Sequence, residues 1–129
     1  MIPEDLTYLL EQPGFAHVAT IGPNGEPQSN PVWFMWDGTH LLFSQEGGRQ
    51  KMKNLRRDPR IALSIMDFDN PQKYLEIRGE VVAFDPDEDY TFVHSLAKRY
   101  LGLEEYPYLQ PGEQRFIVRV EPHHTTRMG

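Results

Sequence analysis

The sequence predicts a mainly β domain in which six short antiparallel strands curl into a barrel with helices at its edges. Tight-turn signals at Gly22-Pro23-Asn24-Gly25 and Asp37-Gly38 separate runs rich in strand formers. Ile61, Leu63 and Ile65 alternate with Ala62, Ser64 and Met66 at the period of a strand with one buried face. Helical patterns are too few to supply the crossovers of a parallel doubly wound sheet. Closing the sheet on itself would also remove exposed strand edges.

Taken in order, Pro3, Glu4 and Asp5 suit a first helical turn, and Leu6, Leu9 and Leu10 give a short helix its apolar face before Pro13-Gly14 stops it. Phe15–Ile21 and Pro27–Trp36 form a hairpin. Pro27 and Pro31 cannot donate ladder hydrogen bonds, so the second strand belongs at an edge or carries a bulge near Asn30-Pro31. Leu41–Ser44 is the next strand, followed by a basic helix that Asp58-Pro59 closes. Residues 61–66 and Tyr74–Phe84 are two further strands. Asp85, Pro86 and Glu88 read as cap, first-turn proline and capping-box acid of a helix reaching Leu101, with Gly102 as its stop. A loop through Pro107 and Pro111-Gly112 leads to a last strand, Arg115–Val120, and a short polar tail. Residues 1–129 are expected to form a single domain.

A chain of 129 residues and 15.0 kDa has room for a core but is small for binding a large ligand alone, so a partner subunit is expected. The net charge is −6, yet Arg49–Arg60 carries six of the thirteen basic residues against the single acid Asp58. Such local positive charge favours a compact anionic ligand over nucleic acid, which needs a broader basic surface. The absence of cysteine removes disulfides, thiolate metal sites and cysteine nucleophiles. The first residues lack signal-peptide character and no apolar run reaches membrane-span length, so a soluble cytoplasmic protein is expected. Trp33, Phe34, Trp36 and Tyr74 read either as ordinary core or as surface for a subunit or a planar ligand.

The stretch that organises the chain is Phe43–Arg57, a strand end and two glycines running into the basic helix. It places Arg49, Lys51 and Lys53 at or near a helix N-terminus, where the dipole disfavours cations by some tenths of a kcal/mol each. A compensating anion is expected, and Gly47-Gly48 would let a phosphate approach the main chain. The alternative is a solvated helix whose buried stripe is Met52 and Leu55. Arg49 and Lys51 converge on one ligand only if the chain is still extended at Arg49. The stretch lacks the Gly-Lys-Ser/Thr ending of a nucleotide P-loop, so ATP or GTP chemistry is not indicated.

No catalytic set assembles from side chains. His17, His40, His94, His123 and His124 do not recur at metal-ligand spacing, and Ser29, Ser44, Ser64 and Ser95 lack a nucleophile elbow. Chemistry is therefore expected from a bound cofactor. Thr20–Phe34, followed by Gly48–Arg60, resembles the pyridoxamine 5'-phosphate oxidase-like split β-barrel superfamily, and within it the flavin/deazaflavin oxidoreductases that use coenzyme F420. The likeness extends over Tyr74–Phe84 and Phe116–Pro122. It implies a six-stranded split barrel of the FMN-binding type, a homodimer with the cofactor cleft at the interface, and hydride transfer from F420 to a small conjugated substrate. By the same resemblance Arg49 and Lys51 hold the cofactor's phosphate, with Ser44 nearby. Asn30, Pro31, Val32, Trp33 and Phe34 form the strand along the ring, where the Pro31 interruption independently frees ladder groups. Lys53, with Arg56 and Arg57, would meet the polyglutamate tail of F420, unless these form a plain solvated helix face. Tyr74 is a candidate proton donor, and no catalytic side chain is assigned. Two alternatives stay open: FMN as the cofactor of an oxidoreductase or oxidase, and a cofactor carrier or sensor without turnover. The ending Arg127-Met128-Gly129 departs from the aromatic-Gly ending frequent in such proteins.

Overall fold

The computed structural model describes residues 1–129. A 3-10 turn (Glu4–Leu6) and α1 (Tyr8–Glu11) precede the strands β1 (Ala16–Ile21), β2 (Pro27–Val32), β3 (Met35–Trp36) and β4 (Leu41–Glu46). Helix α2 (Gln50–Arg57), strands β5 (Arg60–Met66) and β6 (Tyr74–Pro86), helix α3 (Thr91–Leu101) and strand β7 (Arg115–Met128) complete the chain. All seven strands pair antiparallel in one sheet of order β2-β1-β5-β6-β7-β4-β3.

The edge strands β2 and β3 are consecutive in the chain, separated by Trp33 and Phe34 alone. Six gaps of ~4.8 Å would hold the edges of a flat sheet roughly 29 Å apart. The backbone from Val32 to Met35 spans at most roughly 11 Å. The sheet must therefore curl until its edges nearly meet, and its inward residues can share one core. Leu41 and Phe43 on β4, Ile61, Leu63 and Ile65 on β5, Leu75 and Ile77 on β6, and Val118 and Val120 on β7 form a single buried cluster. Leu9 and Leu10 of α1 and Met52 and Leu55 of α2 join it.

The expected count of six strands and the expected closure are both corrected. The run Pro27–Trp36 divides at Trp33-Phe34 into β2 and β3, and these two edges do not pair with each other. The hydroxyl of Tyr100 occupies the break: it accepts from the Phe34 N–H at 3.1 Å and lies 2.6 Å from the Gly14 carbonyl and 3.2 Å from that of Phe34. A side chain thus takes main-chain groups that a closed ladder would use.

The predicted tail is also strand. β7 continues to Met128, opposite Tyr74, because a register shift between Arg78 and Gly79 lets the ladder step past Pro122, which cannot donate. Arg127 then grips Asp5 through two hydrogen bonds of 2.7 and 2.6 Å. The cap of α3 differs as well. Asp85 and Pro86 remain in β6, with Asp85 3.1 Å from Arg119, and the buried carboxylate of Asp87 accepts from the N–H groups of Phe92 and Val93 at 3.1 and 3.0 Å. Gly102 ends α3 in the left-handed region, as expected.

Gly79 is the strictest steric requirement in this arrangement, since a Cβ there would stand 2.0 Å from the Glu121 carbonyl oxygen, a backbone atom with no freedom to swing aside. Gly79→Ala should cost about 2–4 kcal/mol in urea unfolding through loss of the bulge. Gly22→Ala meets only the flexible Glu26 side chain and should cost less than about 1 kcal/mol.

Candidate functional site

A cleft of about 670 Å³ opens along β2 and is bounded by the end of β4, the start of α2, the buried side of α3 and the loop before β7. That volume lies within the ~300–1,000 Å³ of typical small-molecule sites. One end is cationic. Arg49 has extended backbone angles (φ −75°, ψ 154°) and precedes the first helical residue, Gln50. The condition for convergence is thus met, and both Arg49 and Lys51 line the cleft.

Lys51 is 4% exposed, and its Nζ donates to Gln45 Oε1 at 3.0 Å and sits 5.6 Å from the centre of the Phe43 ring. No carboxylate lies within salt-bridge distance of Lys51 or Arg49. Burial first, and the Arg49 charge second, push the Lys51 ammonium down to about 8. The N–H groups of Gln50 and Lys51 have no acceptor in the protein, and Arg49 makes no side-chain cap. Two cations and two free donors therefore stand at this end of the cleft with no carboxylate in salt-bridge contact with either cation.

The glycine turn works differently from expectation. Gly47 and Gly48 both avoid the left-handed region, and the Gly48 N–H donates to the carboxylate of Glu46 at 2.9 Å. The protein's own side chain fills that position. Space is the requirement at Gly47, where a Cβ would meet the Phe116 ring at 2.9 Å; at Gly48 it would meet only the flexible Glu46 carboxylate, at 3.3 Å.

The wall of the cleft is positioned by contacts far apart in sequence. Asn54, fully buried on α2, donates to Thr20 Oγ1 and Gln28 Oε1, both at 3.0 Å, and accepts from Gln50 at 2.8 Å. This network ties the cationic helix start to β1 and β2. At the other end Trp33 stacks on Tyr100, with ring centres 5.1 Å apart and planes 8° from parallel, and Tyr106 meets Trp33 edge-on. The Tyr106 N–H donates to His94 Nδ1 at 2.8 Å, which pins the loop to α3. Arg115 lies over the Tyr106 ring, with its Nε 3.3 Å from Ser44 Oγ and its Nη1 3.3 Å from Glu113 Oε2.

Of the residues singled out from the sequence, Asn30, Pro31, Val32, Trp33, Ser44, Arg49 and Lys51 line this one cleft. Phe34 and Lys53 do not. Phe34 is fully buried in the core with its main chain held by Tyr100, and Lys53 is exposed on the outer face of α2. Arg56 lies over the rings of Phe84 and Phe116, and Arg57 donates to the Ile21 carbonyl, so both have structural partners outside the cleft. Tyr74, paired between Met66 and Met128, is also outside it. Gln28, Gln45, Asn54, Tyr100, Tyr106, Glu113 and Arg115 shape the cleft without having stood out in the sequence. Two signals point to some of them: Asn54 interrupts an apolar helix stripe, and a thirteen-residue loop before β7 is long for a purely structural connection.

Fold and cleft together define an antiparallel-sheet protein with a cationic small-molecule cavity. Residues 2–128 match the pyridoxamine 5'-phosphate oxidase family, and the chain belongs to that family. A solved structure named as an F420 reductase is 38% identical, superposes with a TM-score of 0.88, and is matched over 97% of this chain and 98% of that one. The 5a,11a-dehydrotetracycline/5a,11a-dehydrooxytetracycline reductase of Streptomyces rimosus is 35% identical over 68 residues, 50% of this chain and 47% of that protein. The match thus spans about half the length of that relative. The General Stress Protein 26 of Bacillus anthracis shares the fold at a TM-score of 0.71 and 16% identity, over 97% of this chain and 92% of that one. Two of these relatives are named as reductases. No helix is long and apolar enough to cross a membrane.

The strained charge of Lys51 has a stability consequence. A lysine whose ionisation falls from 10.5 to about 8 on folding holds its proton at a cost below pH 8. Between about pH 8 and 10.5 the unfolded chain keeps that proton while the folded chain releases it, so folding becomes relatively more favourable as pH rises. Lys51→Met, which retains contact with Phe43, should stabilise the ligand-free protein by roughly 1–3 kcal/mol at pH 7. The gain should shrink towards zero by about pH 10.5, as read from urea midpoints across that window.

Proposed function

We propose that this protein is an F420-dependent reductase that acts on a small conjugated substrate. The observation that carries the reading is the buried, unpaired ammonium of Lys51 beside Arg49 at an uncapped helix start. A phosphate there would restore the missing counter-charge and accept from the free N–H groups of Gln50 and Lys51. Asn30, Pro31, Val32 and Trp33 would flank the ring along β2, an edge strand whose outer side is unpaired. When bound, F420 supplies the hydride chemistry. The chain's own residues supply phosphate binding, orientation and exclusion of water, the last through Trp33, Tyr106 and Tyr108. The likeness to the F420 reductase over nearly the whole chain supports this assignment.

A second reading, FMN in the same cleft, is favoured by a specific observation. The structural contacts of Arg56 and Arg57 leave Lys53 as the remaining cation of α2 for a polyglutamate tail, whereas Arg49 and Lys51 suffice for one phosphate. Both cofactors would place their phosphate at the same two residues. We also propose a homodimer, supported by Phe15, Met66 and Phe68, which are 42%, 39% and 55% exposed, with Phe15 on the rim of the cleft. Sedimentation of a monomer that still binds cofactor tightly would contradict the dimer.

Fluorescence titration of the ligand-free protein with F420 and with FMN decides between the cofactors, with F420 expected to bind more tightly. Arg49→Ala or Lys51→Ala should weaken binding of the preferred cofactor about tenfold to a hundredfold, matching the roughly 1.5–3 kcal/mol of a charged hydrogen bond. Binding within twofold of wild type in both variants would mean that the phosphate sits elsewhere.

A further inference from the structure

Residues 103–109 of the loop before β7 border the aromatic end of the cleft, with Tyr106 and Tyr108 in its lining. Over this stretch the main chain makes a single hydrogen bond, from the Tyr106 N–H to His94 Nδ1 at 2.8 Å. Tyr106 and Leu109 are half-buried, and the other residues of the stretch are exposed. The ring contacts also run through Tyr106, which meets Trp33 and Tyr108 edge-on and lies under the Arg115 guanidinium. The Lys98–Glu104 ion pair, with side chains 66% and 82% exposed, adds little. A segment with so few ties is held or released by whatever holds Tyr106.

The hydrogen bond fixes the charge of its acceptor. Nδ1 accepts only while it carries no proton, so the His94 ring is neutral with its proton on Nε2. The imidazolium would set one N–H against another, and no carboxylate stands within ion-pair distance of His94 to replace the lost bond. The charged and titratable groups around the ring have partners of their own. On α3, Asp89 is near enough for its charge to act on His94, and its carboxylate accepts from the Thr91 N–H at 3.2 Å. The Tyr90 ring stands edge-on to His94 at 6.3 Å, with its hydroxyl donating to the Glu113 carbonyl, and Lys98, one turn on, pairs with Glu104. On the loop side Glu105 is exposed, and behind Tyr106 the Arg115 charge is met by Glu113 at 3.3 Å.

We infer that His94 is a positioning residue for the cleft: its neutral imidazole latches Tyr106 against Trp33, and its protonation releases residues 103–109 and loosens that side of the cavity. Histidine changes charge between about pH 5 and 8, so the latch is closed at neutral and alkaline pH and released on acidification. The latch is a property of the ligand-free protein, while its effect on binding, through Trp33, rests on the cofactor reading above.

The test follows the ligand-free chain by nitrogen NMR from about pH 8 to 5. In the wild type the His94 ring nitrogens and the Tyr106 amide should titrate with one midpoint, and the heteronuclear NOEs of Glu104, Glu105, Tyr106 and Tyr108 should fall across it. His94→Asn offers an acceptor that does not ionise in this range and should keep the segment ordered at the acid end. His94→Leu should leave it mobile throughout. With whichever of F420 and FMN binds more tightly, His94→Leu should bind about two- to tenfold more weakly than wild type at neutral pH, the worth of one hydrogen bond. On acidification wild type should lose more affinity than His94→Asn, a comparison from which the titration of Lys51 and of the phosphate drops out. Order at Tyr106 that stays constant while His94 titrates would overturn the latch, as would a His94→Leu segment as ordered as that of wild type at neutral pH. Affinities that follow neither the pH nor the variants would overturn its positioning role. A latch that titrates as described in a protein that binds neither cofactor would support the latch and overturn the cofactor reading alone.

Discussion

The two-residue link between β2 and β3 is the constraint on which the rest of the structure depends. Trp33 and Phe34 join strands at opposite edges of a seven-stranded sheet, so the sheet has to curl. Curling creates a single interior for side chains from every long strand. The link also leaves an unpaired seam, with β2 as an edge whose outer groups remain available. Tyr100 holds that seam from α3 with one hydroxyl, and its ring stacks on Trp33. One side chain thus secures the fold and backs Trp33, which lines the cavity.

Electrostatics at the other end of the cleft run against stability. A helix start is already positive, yet α2 begins with Arg49 and Lys51, lacks a side-chain cap, and buries the lysine without a counter-ion. The one side-chain hydrogen bond of that lysine is to a neutral amide, Gln45. Neutral partners fix the position of a cation without cancelling its charge, which leaves the charge for a ligand. This is a local conflict of the kind expected at a functional site rather than in a structural element.

The parts of this design that are legible in the sequence are those governed by short-range rules. Ile61, Leu63 and Ile65 announce β5 by their alternation, Gly102 marks the end of α3, and Pro31 marks an edge strand. The cationic helix start is visible too, because Arg49 and Lys51 are two residues apart and need only an extended Arg49 to converge. Features set by distant partners are not visible. Tyr100 meets Phe34 across 66 positions and Asn54 meets Thr20 across 34, and no local pattern encodes such pairs. The strand after Val120 reads as a tail because Pro122 looks like a strand breaker unless the bulge at Gly79 is known. Asp85 reads as the helix cap in place of Asp87 because both precede the helix, and only the long reach of β6 decides between them.

The central claim is that Lys51 is a buried cation held in waiting for a phosphate. Its ionisation can be followed directly by carbon NMR of selectively labelled lysine side chains, in the free protein and after saturation with F420 or FMN. The expected result is a free-state midpoint near 8 that moves upward when the cofactor's phosphate arrives, as an opposite charge favours the ammonium form. A midpoint already at the ordinary lysine value near 10.5, or one that does not move on saturation, would contradict it.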